Sequence, residues 1–98
     1  MKILITGGNG FIGKALRNFL SASHDITVID TEFDNTYAGI QHLNDLSNNS
    51  NMLYQEVENS DLVIHLASPV GIFKIDKNAK TFLEELLKIN LTVFNLVK

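Results

Sequence analysis

The stretch Thr6-Gly7-Gly8-Asn9-Gly10-Phe11-Ile12-Gly13 lies directly between an apolar run, Ile3-Leu4-Ile5, and a segment with helical periodicity. The apolar run predicts a strand over Lys2 to Thr6, and the periodic segment predicts a helix over Phe11 to Ser21. Glycines at these spacings allow a chain to turn sharply off a strand and a helix to pack closely on it. The stretch therefore predicts the first strand, turn and helix of a parallel α/β sheet.

The three glycines Gly7, Gly10 and Gly13 also predict a site for phosphate groups. Gly7 permits the turn, and Gly10, which has no Cβ, allows a pyrophosphate to come close to the backbone. Free N–H groups at the start of a helix, together with the helix dipole, stabilise such an anion. Because a strand precedes the glycines and a helix follows them, the pattern indicates dinucleotide binding.

An acidic residue, Asp30, follows the second apolar run, for which we predict a strand over Asp25 to Ile29. A carboxylate at this position can accept hydrogen bonds from both hydroxyls of an adenosine ribose. It would also repel the 2′-phosphate of NADP, and the next residues, Thr31 and Glu32, provide no cation. The sequence thus favours NAD over NADP. The alternative is an ordinary Asp in a turn at the end of a strand.

Composition limits the chain to one small domain and excludes several classes of function. The chain has 98 residues, 45% hydrophobic and 19% charged, with a formal net charge of −3. This charge gives no basic surface for nucleic acid, and no apolar run is long enough to span a membrane. There is no cysteine, and the three histidines lack metal-ligand spacing, so we expect no metal site. We expect a cytoplasmic protein.

The remaining patterns predict alternating strands and helices. The polar stretch from Asp30 to Gly39 has no helical period, so the crossover helix usual at this point is predicted to be short or missing. A nearly unbroken apolar strand favours the centre of a parallel sheet, where both faces are buried. The predicted elements are a strand over Ile40 to Leu43, a short helix over Met52 to Glu58, that apolar strand over Leu62 to Ala67, and a long helix from Ala79 onwards.

This order predicts an α/β fold, a Rossmann-like doubly wound parallel sheet with helices on both faces. Four strands amount to about the first half of such a fold, so we interpret residues 1–98 as an N-terminal NAD-binding portion. In the first helix we expect one apolar face to be buried and Lys14, Arg17 and Asn18 to face away. That apolar face comprises Phe11, Ile12, Ala15, Leu16, Phe19 and Leu20.

Four motifs, in the order Met1 to Gly13, Asp30, Asn44-Asp45-Leu46 and Asp61 to Ser68, resemble the extended short-chain dehydrogenase/reductases. The resemblance is to the NAD-dependent epimerases and dehydratases that act on nucleotide sugars, and it covers essentially the whole chain. It implies hydride transfer from the sugar to NAD and back in a complete enzyme. It also implies a homodimer.

The resemblance also implies roles for individual residues. The glycines and the backbone N–H groups of Phe11 and Ile12 would bind the pyrophosphate, Asp30 the ribose, and Asp45 the adenine amino group. Asn90 would support the hydrogen-bond network of the active site, whereas we interpret His65 as structural. The remaining residues expected to line the cofactor are Leu46, against the adenine ring, and Leu66, Ala67 and Ser68, beside the nicotinamide-side ribose and phosphates.

The catalytic pair of the family, a Tyr followed four residues later by a Lys, does not occur in this chain. Gln41 follows Tyr37 at that spacing, and Glu58 follows Tyr54. We therefore expect cofactor binding without turnover from these 98 residues alone. Two alternatives stay open: a short, catalytically inert NAD-binding or interaction module, and a relative that no longer binds a nucleotide.

Overall fold

The computed structural model describes residues 1–43, 51–67, 87–88 and 90–91. Its strands are β1 (Lys2–Thr6), β2 (Asp25–Asp30), β3 (Ile40–Leu43) and β4 (Leu62–His65), and its helices are α1 (Phe11–Leu20) and α2 (Asn51–Glu58). Residues 87–88 and 90–91 are also helical. Each of the six elements begins within one residue of its prediction. Asp30 is the last residue of β2 rather than the first residue after it.

The four strands form one parallel sheet in the order β3-β2-β1-β4. The register pairs Thr6 with Ile29 of β2 on one side and with His65 of β4 on the other. The carboxyl ends of the three strands therefore meet at one edge of the sheet. This arrangement confirms the predicted Rossmann-like fold.

Alternation along β1 divides the core into two layers. Ile3 and Ile5 belong to a cluster that Leu16 and Leu20 of α1 cover. Leu4 belongs to the other cluster, with Leu53 of α2. Because successive side chains of a strand point to opposite faces, the two helices lie on opposite faces of the sheet, as a doubly wound fold requires.

The prediction that β4 lies at the centre of the sheet, buried on both faces, is not met among the four described strands. Among the described strands it is an outer one, and its side chains are exposed or half-buried rather than buried on both faces. β1 is an inner strand, with Leu4 and Ile5 fully buried. The reason is topological: the crossover after β3 returns the chain past β1 to its free side, so β1 lies between β2 and β4.

The predicted orientation of α1 was also wrong in part. Leu16 and Leu20 pack on the core, but Phe11 is 95% exposed and Phe19 79% exposed. Arg17, expected in solvent, is 2% exposed. The helix packs on the sheet along the row that contains Gly13 and Arg17, because the glycine allows the closest approach.

The connection between β2 and β3, residues 31–39, contains turns and bends but no helix. This confirms the prediction that the usual crossover helix is short or missing, and among these residues it is missing. Among the described residues, no helix has the length and apolar character that crossing a membrane requires.

Candidate functional site

The glycine turn joins the carboxyl ends of three strands. Gly7 has a φ of +70°, a left-handed conformation that favours glycine. Its N–H donates to the Ile29 carbonyl of β2 at 2.8 Å. A Cβ on Gly7 would stand 2.8 Å from the Ala67 nitrogen, so the chain after β4 passes directly against the turn. Leu66 and Ala67, both predicted to line the cofactor, therefore lie beside Gly7.

The other glycines of the turn differ in the space around them. A Cβ on Gly13 would lie 2.4 Å from the Gly7 carbonyl oxygen, and one on Gly8 would lie 2.7 Å from the Val28 side chain. Gly10 is different, since among the described residues a Cβ there would meet only the Gly7 carbonyl oxygen, at 3.4 Å. The protein requires glycine at positions 8 and 13 for its own packing, whereas the space at Gly10 is open. Sequence reasoning missed Gly8 because it does not belong to the three-residue spacing.

The start of α1 presents backbone donors to this open space. The first i→i−4 bond of the helix is donated by the Lys14 N–H to the Gly10 carbonyl at 2.9 Å. The N–H groups of Phe11 and Ile12 precede it and so have no partner within the helix. The first turn of α1 contains no acidic side chain. No acidic side chain of the helix itself therefore competes with an anion for these donors.

Asp30 lies beside the turn, and both of its carboxylate oxygens accept backbone hydrogen bonds. The Asn9 N–H donates to Oδ2 at 3.0 Å, and the Glu32 N–H donates to Oδ1 at 3.1 Å. The side chain is half-buried. Because each carboxylate oxygen can accept more than one hydrogen bond, both retain capacity for a ligand hydroxyl. Asp30 is thus held in place with unused acceptor capacity.

A polar network centred on Arg17 lies next to Asp30. The guanidinium donates to Asn9 Oδ1 and to Asp34 Oδ2 and stacks over the Tyr37 ring, 4.3 Å from its centroid. Gln41 completes the network, because its Oε1 accepts from Asn9 Nδ2 and from the Asp34 N–H, both at 3.0 Å. Sequence reasoning missed Arg17 because helical periodicity assigned it to the solvent face.

Asp34 is the acidic partner within this network. Its pKa is held well below the usual range, first by a hydrogen bond from the Thr36 hydroxyl, then by the Arg17 guanidinium and the Thr36 N–H, and also by Lys14. The Lys14 Nζ lies 3.9 Å from Asp34 Oδ2. Asp34 therefore carries a negative charge throughout the physiological range and neutralises the buried arginine.

A second chain of hydrogen bonds runs from β1 to the helix that contains Asn90. The Thr6 Oγ1 accepts from the N–H groups of Leu66 and Ala67, at 3.1 and 3.2 Å. The Leu66 N–H also donates to the Thr6 backbone carbonyl, at 3.0 Å. We assign the Thr6 hydroxyl proton to the contact with His65 Nδ1, 2.6 Å away. With this assignment the ring proton lies on His65 Nε2, which donates to Asn90 Oδ1 at 2.8 Å. His65 thus fixes the orientation of Asn90.

The structure brings most of the predicted site residues to one edge of the sheet. Gly7, Gly10, Gly13 and Asp30 surround the start of α1, and Leu66 and Ala67 lie beside it. Asp45, Leu46 and Ser68 lie outside the described residues. Across the described part of the chain, no cluster of His, Asp or Glu is arranged to hold a metal ion.

A parallel sheet with a glycine turn and an acid at the end of the second strand is the arrangement typical of dinucleotide-binding α/β proteins. The sequence matches the NAD dependent epimerase/dehydratase family over residues 3–98, and the chain belongs to this family. A curated relative, the uncharacterized protein YtbQ of Bacillus subtilis (strain 168), is 35% identical over 66 residues, which are 66% of this chain and 25% of that protein.

Solved structures of longer enzymes contain the same fold. The UDP-Glc/GlcNAc 4-epimerase of Campylobacter jejuni is 27% identical, with a TM-score of 0.72 over 97% of this chain and 32% of that one. TunA, an NAD dependent NDP-hexosamine 5,6-dehydratase of tunicamycin biosynthesis, is 26% identical, with a TM-score of 0.79 over 98% of this chain and 33% of that one. The chain spans about a third of the length of either enzyme.

Proposed function

We propose that this chain forms the NAD-binding part of an enzyme that acts on nucleotide sugars by transient hydride transfer, as an epimerase, dehydratase or decarboxylase. NAD would supply the hydride acceptor and donor. The chain itself would bind the adenosine and pyrophosphate and hold the cofactor at the carboxyl edge of the sheet. The family membership and the names of the two related enzymes support this proposal.

The arrangement of Asp30 and the start of α1 carries the proposal. The carboxylate and the backbone N–H groups of Phe11 and Ile12 both adjoin one glycine turn. A ribose needs acceptors for two hydroxyls, and a pyrophosphate needs donors. The space at Gly10 would admit the phosphate, since no side chain of the described residues lies within 4 Å of a Cβ placed there. In the same proposal Asp45, Leu46 and Ser68 would line the cofactor, and Asn90 would support the active site.

We propose NAD rather than NADP as the cofactor. A 2′-phosphate would approach the Asp30 carboxylate and be repelled by it. Arg17 is a buried cation linked to this site through Asn9, but its charge is already paired with Asp34. A cytoplasmic location and a homodimer stay predictions.

A binding and turnover assay of the full-length natural protein tests the proposal. We expect NAD to bind and, on addition of UDP- or dTDP-linked hexoses, absorbance at 340 nm to report transient NADH for at least one of them. Binding of NAD without sugar-dependent reduction by any nucleotide sugar would favour the inert NAD-binding module. Absence of NAD binding by a folded protein would contradict the proposed function.

A further inference from the structure

Arg17 is a charged side chain buried in a place where an apolar side chain would serve the packing of the helix. It is 2% exposed, its two terminal nitrogens bind Asn9 and Asp34, and its Nε has no hydrogen-bond partner among the described residues. Burying an ion pair costs desolvation energy, and an apolar side chain of similar volume is often as stable or more so. Stability alone therefore does not explain an arginine at this position.

We propose that Arg17 is a positioning residue that orients Asp30 toward the adenosine ribose, acting through Asn9 and the segment between β2 and β3. The inference rests on the proposed function, since it assigns a role within the same site. Arg17 is buried within the network and is not proposed to touch the nucleotide. Its effect reaches Asp30 by two routes, one for each carboxylate oxygen.

The first route passes through Asn9. By accepting from Arg17, the Asn9 side-chain oxygen leaves its Nδ2 to donate to the Glu32 carbonyl at 2.6 Å and to Gln41 Oε1 at 3.0 Å. The amide group is thereby fixed in one orientation. The backbone N–H of the same residue donates to Asp30 Oδ2. Arg17 thus fixes Asn9, and Asn9 in turn positions Oδ2 of the Asp30 carboxylate.

The second route passes through Asp34 and the segment that lacks a helix. Arg17 binds the Asp34 carboxylate, and Gln41 Nε2 donates to the Asp34 carbonyl at 2.9 Å and to the Tyr37 carbonyl at 3.2 Å. These contacts fix residues 34–37 in the absence of a helix. The Glu32 N–H, at the start of the same segment, donates to Asp30 Oδ1. Through this segment Arg17 therefore also positions Oδ1 of Asp30.

A comparison of ADP with 2′-deoxy-ADP tests this role, because the two ligands differ only in a hydroxyl that Asp30 would bind. Calorimetric titration of the full-length natural protein is expected to show that ADP binds about tenfold more tightly than 2′-deoxy-ADP. This factor corresponds to the free energy of one hydrogen bond to a charged group. In Arg17→Met we expect the ratio to fall to about twofold. If the role of Arg17 is purely structural, the substitution would weaken the binding of both ligands equally and leave the ratio of their affinities unchanged.

Leu16→Ala is the matched control, since Leu16 is the neighbouring residue of α1, packs on the core and has an apolar side chain that makes no hydrogen bond to the network. We expect it to lower stability and to retain the wild-type ratio. Asn9→Ala is a second test, because it breaks the first route and leaves the Arg17–Asp34 pair intact. Its ratio is also expected to fall.

A wild-type ratio in either folded variant, Arg17→Met or Asn9→Ala, would overturn the positioning role while leaving the proposed function intact. A wild-type protein that binds neither ADP nor NAD would instead contradict the proposed function, and with it this inference.

Discussion

Gly13 lies against Gly7 so closely that a Cβ on Gly13 would stand 2.4 Å from the Gly7 carbonyl oxygen. This contact decides which face of α1 meets the sheet. It places Arg17, one turn further along, beneath the segment that follows β2, and it leaves Phe11 and Phe19 exposed. The same glycine pair therefore builds the phosphate turn and buries the arginine.

Substitution of these glycines by alanine is expected to separate folding from binding. Gly13→Ala forces a Cβ against backbone atoms, so we expect it to lower the free energy of unfolding by about 3 kcal/mol. Gly10→Ala meets no such obstacle, and its cost is expected to be below about 1 kcal/mol. Its Cβ would occupy space proposed for the pyrophosphate, so NAD affinity is expected to fall. Urea denaturation and calorimetric titration of both variants check this. Equal stability loss in the two variants would contradict the geometry.

The hydrogen bonds around Thr6 predict the tautomer of His65. Because Thr6 donates to Nδ1, the ring proton is expected on Nε2, and ¹⁵N chemical shifts of the imidazole report this directly. Thr6→Val removes the hydroxyl with little change in shape. It leaves the Ala67 N–H without this acceptor, and we expect a loss of about 1–3 kcal/mol. A proton on Nδ1 in the wild-type protein would show that the assigned direction of the chain is wrong.

We expect Asp34 to make a contribution to the free energy of unfolding that depends on pH. Its pKa in the folded protein lies below the value near 3.9 expected in an unfolded chain. Its stabilising effect is therefore complete above about pH 4 and is lost as the pH falls toward the folded pKa. Asp34→Asn is expected to be less stable than wild type at pH 7 and to lose less stability between pH 4 and pH 2. Urea midpoints across this range measure the difference. Parallel curves for the two proteins would contradict the depressed pKa.

The element order could be predicted because each element has a local signal: apolar runs for the strands, a periodic segment for α1 and glycines between them. The burial of Arg17 could not be predicted, because helical periodicity assigns polar residues to solvent. Periodicity also contains no information about the contact between Gly13 and Gly7. The pairing of Thr6 with His65 depends on the register of β1 and β4, two strands far apart in sequence. The outer position of β4 among the described strands likewise follows from topology rather than from its composition.

The most direct test of the central claim is a calorimetric titration of the full-length natural protein with NAD and with NADP, in wild type and in Asp30→Asn. We expect wild type to bind NAD at least about tenfold more tightly than NADP, since Asp30 accepts ribose hydroxyls and repels a 2′-phosphate. Asp30→Asn is expected to bind NAD more weakly and to lose most of this preference. Equal affinities for the two cofactors in wild type, or an unchanged preference in the variant, would contradict the assignment of Asp30 to the ribose.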